Sequence, residues 1–150
     1  MELLKTLSET PGAPGREERI REFIRSRVAD HCDSIEVDAL GTLICLKKGS
    51  SDDPKRIMLS CHMDEIAFYV KAIDKDGYLR LNPLGGFDTR NLFARQVLIQ
   101  GKEDIVGVMN PAGPPVHVAS PEDRKKVPAV GEFSVDTGRS AEEVKSLVRI

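Results

Sequence analysis

The chain has 150 residues, with 22 Lys and Arg against 24 Asp and Glu and three His, for a formal net charge of −2. Hydrophobic residues make up 40% of it, Trp is absent, and no apolar run approaches the roughly 18 residues that a membrane span needs. This balance excludes membrane-spanning, collagen-like and disordered chains, and with no basic concentration in either half it argues against nucleic acid as a partner. No basic stretch leading into an apolar one opens the chain, so no secretion signal is expected. Cys32, Cys45 and Cys61 are odd in number and lack CxxC spacing. They read as reduced thiols of a cytoplasmic protein rather than as a zinc finger.

In chain order, Met1–Leu7 reads as a short helix that stops before the breaker-rich loop Pro11-Gly-Ala-Pro-Gly15. Ile20, Phe23, Ile24, Arg27 and Val28 then recur at helical spacing over Arg16–Ala29. Glu17 and Glu18 lie in its first turn and Arg25 and Arg27 near its last, the polarity that the helix dipole favours. Ser34–Asp38 and Thr42–Leu46 flank a Gly-containing turn and predict a hairpin. Arg56–Cys61 is a short, nearly continuous apolar run, as expected of a strand buried on both faces. Helix, helix and three strands in this order suggest an α/β layer structure.

From Ile66 the texture changes to short strands punctuated by Gly and Pro. Phe68–Ile73 with Tyr78–Leu81, and Gln96–Gln100 with Asp104–Met109, predict two hairpins of a small barrel or sandwich. Ser120-Pro-Glu-Asp123 has the form of a helix start with Pro at the first helical position. Ser140-Ala-Glu-Glu143 is a capping box ahead of Val144, Leu147 and Val148.

His62-Met-Asp64-Glu65 carries the most chemistry. It follows the expected buried strand, and ligands of open α/β sheets bind beyond the carboxyl ends of strands. In extended chain residues 62 and 64 project to the same side, so an imidazole can ligate a metal while the carboxylate supports it. By spacing alone the triplet is weak, because a hydrogen-bonded structural histidine is the commoner occupant of such a position.

Six ordered motifs add to this reading: Leu3–Leu7 with Pro11-Gly-x-x-Gly15-x-Glu17; Val37-Asp-x-x-Gly41-x-Leu-Ile44; Met58–Ile66; Gly85-Gly-Phe-Asp-x-Arg90; Gly107-Val with Pro114-Pro-x-His117; and Asp136-x-Gly138 ahead of Glu143. Together they resemble the N-terminal part of the glutamyl aminopeptidase family, which includes deblocking and tetrahedral aminopeptidases and proteins once labelled cellulase M. The resemblance implies an α/β fold in which residues 1–66 are the N-terminal portion of a zinc-peptidase-like catalytic domain. Residues 67–150 would be an inserted, small β-barrel dimerisation domain. It implies that His62 is the first ligand of a site for two divalent metal ions, zinc or cobalt, that activates water for peptide hydrolysis. Asp64 matches the carboxylate that supports this histidine and is counted among the catalytic residues. Peptide substrates and homo-oligomers formed through the barrel follow from the same resemblance.

Departures are equally specific. Family members are more than twice this length, and their other metal ligands and general base lie beyond the inserted domain. The chain is therefore expected to be incomplete for catalysis by itself. The alternative is a catalytically inactive, truncated product that serves as an assembly or interaction module. Thr42 replaces the usual Asn, Ala67 the usual Gly, and Asn110–Pro115 is rearranged.

Other chemistry-bearing residues have plainer readings. Cys61 is expected to be a buried structural thiol, because neighbours on a strand face opposite ways and it cannot form a dyad with His62. His31 follows a helix end, and His117 reads as a surface histidine in a Pro-rich loop. Glu65 as a general base would project away from the His62 side. Gly85-Gly86 lacks a phosphate-loop pattern, and Arg124-Lys-Lys126 reads as a solvated face.

Overall fold

The computed structural model describes residues 1–115 and 117–150. The chain forms two compact units, Met1–Ile66 and Ala67–Ile150.

The first unit opens with α1 (Glu2–Glu9) and α2 (Glu18–Val28), the latter extended by a 3₁₀ turn over Ala29–His31. Strands β1 (Ser34–Val37) and β2 (Leu43–Leu46) pair antiparallel from Ser34↔Leu46 to Val37↔Leu43. Asp38 builds their turn: its carboxylate accepts from the Leu40 and Thr42 N–H groups at 2.9 and 2.8 Å. Gly41 closes it at φ 89°, a region that L side chains avoid. Arg21 of α2 donates to the Gly41 carbonyl at 3.3 Å, tying the helix to the hairpin. Ile20 is the one hydrophobic side chain buried in this unit, at 2% exposure.

Residues 56–61 depart from expectation. They form no strand, and Ile57, Met58 and Leu59 are 83–93% exposed. The reason is physical: a strand buried on both faces needs neighbouring strands, and β1 and β2 pair only with each other. Cys61, expected to be buried, is exposed for the same reason.

The second unit is a five-stranded antiparallel sheet in the order β3-β4-β7-β6-β5. Its strands are β3 (Ala67–Ile73), β4 (Leu79–Leu84), β5 (Arg95–Gln100), β6 (Asp104–Pro111) and β7 (Phe133–Asp136). A register shift between Val70 and Ala72 adds local twist to β3. Period-2 alternation makes the core: Ile105 and Met109 of β6 and Phe133 and Val135 of β7 are all buried to 3% exposure or less. Helix α3 (Ala141–Leu147) adds Val144, which is fully buried. The sheet is open, with β3 and β5 as its edges. No pairing among the described residues closes it into the expected barrel. The helix expected at Ser120 is a 3₁₀ turn over Asp123–Lys125, whose entry is capped by the Ser120 hydroxyl accepting from the Asp123 N–H at 3.0 Å.

Candidate functional site

The His62–Glu65 segment has no regular secondary structure, so side-chain and loop contacts determine its shape. His62 and Asp64 are brought together. The imidazole Nδ1 lies 3.1 Å from the Asp64 carbonyl oxygen and 3.4 Å from its Oδ1. A carbonyl and a carboxylate only accept, so the tautomer that fits carries its proton on Nδ1. In the neutral ring Nε2 is then the nitrogen with the lone pair, on a side chain that is 86% exposed. That is the protonation pattern of a metal-ligating histidine whose other nitrogen is held by an acceptor.

The loop preceding α2 is shaped independently. Gly15 takes φ 78° and donates to Glu17 Oε1 at 2.7 Å, while Arg16 N–H donates to the Ala13 carbonyl at 2.7 Å. This loop meets the His62 segment at Gly12. Gly12 N–H donates to Glu65 Oε1 at 3.1 Å, and Glu65 N–H donates to the Gly12 carbonyl at 2.9 Å. Gly12 is buried and must be glycine, because a Cβ there would lie 2.7 Å from Ile20 Cγ2 and 3.2 Å from the Met63 carbonyl oxygen. The Glu65 carboxylate is thus engaged with Gly12. The two partners are 53 residues apart, a separation at which no local pattern announces the pairing.

Among the described residues, no group of three or more His, Cys, Asp or Glu is placed to hold a metal ion. A catalytic zinc ordinarily takes three protein ligands. The exposed Nε2 of His62 is compatible with one such ligand, and the described residues do not assemble the remainder around it. His31 and His117 are exposed and lie outside this segment. Gly85 and Gly86 face open space. No helix among the described residues is long and apolar enough to cross a membrane.

Residues 41–150 match the profile of the M42 glutamyl aminopeptidase family, and the chain belongs to that family. A lysyl aminopeptidase of Pyrococcus furiosus is 38% identical over 115 residues, covering 73% of this chain and 32% of its own length. Among solved structures, a TET aminopeptidase from a marine-sediment Thaumarchaeota archaeon superposes with a TM-score of 0.88 at 33% identity, covering all of this chain and 42% of that one. The TET1 peptidase of Pyrococcus horikoshii, which can assemble into a tetrahedron or a large octahedral shell, gives a TM-score of 0.81 at 36% identity, covering 99% of this chain and 43% of its own. The α/β fold matches these neighbours throughout. The chain spans about 42% of the length of a relative from Acetivibrio thermocellus that it matches over 150 residues at 35% identity.

Proposed function

We propose that the chain is the N-terminal part of a metal-dependent aminopeptidase that removes N-terminal residues from peptides. The observation that carries this reading is His62, whose Nδ1 is held by Asp64 while Nε2 stays free, in a chain of the M42 family. Divalent ions, zinc or cobalt and two per complete site, when bound lower the pKa of water and polarise a peptide carbonyl. On this reading His62 supplies Nε2 to one ion. Asp64 fixes the imidazole's tautomer and direction and belongs to the catalytic set. The other ligands and the general base come from sequence beyond the segment matched here. Residues 1–66 are the front of the catalytic domain. The β-rich unit 67–150, an open sheet rather than a barrel, corresponds to the inserted domain, through which homo-oligomers assemble in the cytoplasm. The rival reading, an interaction module without chemistry, draws no support from the relatives.

The test is hydrolysis of aminoacyl anilides with added zinc or cobalt. The chain is assayed alone and also grafted in place of the matching segment of a full-length relative. No turnover is expected from the chain alone, and turnover from the graft. His62→Ala should lower the graft's rate by at least about 100-fold, more than the loss of a supporting group costs. A folded graft that works equally well with His62→Ala overturns the ligand role.

A further inference from the structure

We infer that Glu65 is a positioning residue that aims the His62 imidazole through the peptide unit it shares with Asp64; this rests on the reading of His62 as a metal ligand. The carbonyl of that unit accepts from His62 Nδ1 at 3.1 Å, and its N–H, which belongs to Glu65, donates to the Gly12 carbonyl at 2.9 Å. A peptide group is planar and trans, so the direction of its N–H fixes the direction of its C=O. Anchoring the N–H on Gly12 therefore points the Asp64 carbonyl at the imidazole. The two bonds also polarise one another across the amide.

One bond would leave the peptide free to swing about it. The Glu65 carboxylate removes that freedom by accepting from the Gly12 N–H at 3.1 Å, so that residue 65 grips both polar groups of residue 12. Gly12 in turn is held by its close approach to Ile20, the buried side chain of α2. The path runs from α2 through Gly12 and the 64–65 peptide to Nδ1 of His62. It leaves Nε2 as the one nitrogen able to take a metal ion. Glu65 reaches neither substrate nor metal on this account.

The test reads the His62 ring by nitrogen NMR in the whole 150-residue chain, and zinc binding, with zinc ions alone as the probe, in the graft into a full-length relative. In the wild-type chain the Nδ1–H tautomer should predominate. Glu65→Ala should shift the ring toward the Nε2–H form and, in the graft that carries the other ligands, weaken zinc binding by about 10-fold or more, in the range of other losses of outer support. Glu65→Gln keeps an oxygen that can accept from Gly12 and should restore both readouts. A folded Glu65→Ala chain with wild-type tautomer and zinc affinity overturns the positioning role. If Glu65→Ala disorders the first unit, Glu65→Asp, one methylene too short to reach Gly12, is read by the same criteria. A graft whose zinc affinity is unchanged by His62→Ala defeats the metal reading instead. The tautomer comparison between wild type and variant still decides the role of Glu65.

Discussion

Ser140 and Glu143 show how single side chains set the acid response of this chain. The Ser140 hydroxyl donates to Glu143 Oε2 at 2.6 Å and accepts from the Glu143 N–H at 3.3 Å, while Ser140 N–H donates to the same carboxylate at 2.9 Å. The Ser140 hydroxyl, and then its N–H, hold the Glu143 carboxyl below its ordinary range. The Ala129 N–H does the same for Glu132, and Arg90 pulls Asp88 down to about 2. A carboxyl whose pKa is lower in the folded chain contributes stability that is full above its unfolded value and lost as pH falls through the folded one. The melting temperature should therefore fall as pH drops from about 4.5 to about 2, the window between ordinary carboxyl values and the most depressed one here. Ser140→Ala should cost about 1 kcal/mol at neutral pH through loss of the cap. In denaturant titrations that cost should shrink on acidification; a cost independent of pH would mean that the hydroxyl and the carboxylate are not coupled.

Among the elements, β6 depends on a missing side chain. Gly107 lies opposite Val97 of β5, and a Cβ there would stand 2.4 Å from Val135 Cγ1 and 3.0 Å from the Asp136 carbonyl oxygen. Its φ is not in the left-handed region, so the constraint is space rather than backbone conformation. Gly107→Ala should destabilise the second unit by about 1–3 kcal/mol as β7 is pushed aside. An unchanged denaturant midpoint would show that Val135 has room to turn away. β7 also marks the limit of reading elements from sequence. Helix α2 and the hairpins carry a repeated period that survives in isolation, and each forms within a few residues of the expected bounds. β7 is four residues long, too short to show a period, and it is recognisable as a strand only between β4 and β6. Residues 56–61 err the other way, since an apolar run becomes a strand only where neighbours exist. In the site, the proximity of His62 and Asp64 is written in a spacing of two. The grip of Glu65 on Gly12 is not, because the chain must fold before they meet.

For the molecule as a whole, the division of apolar burial matters most. The core of Leu79, Met109, Phe133, Val135 and Val144 lies within Ala67–Ile150. Met1–Ile66 buries Ile20 and otherwise relies on a two-stranded hairpin, which is marginal in water, while Ile57, Met58 and Leu59 face solvent. Residues 67–150 expressed alone should melt cooperatively. Residues 1–66 alone should show no cooperative transition and should self-associate; a monodisperse, cooperatively melting 1–66 fragment would refute this account.

The reciprocal bonds between Gly12 and Glu65 also have a kinetic meaning. Joining them closes a loop of 53 residues, whereas the β1–β2 hairpin closes one of about a dozen, and loop-closure entropy must be met before the contact repays it. The hairpin and α2 are local and should form early, and the Gly12–Glu65 closure should come late in the first unit; pulse-labelled hydrogen exchange that protects the Glu65 amide as early as β1 and β2 would refute this order. On that order the direction of the His62 imidazole would be acquired at the end of folding, and partly folded chains would carry a histidine that has not yet been aimed.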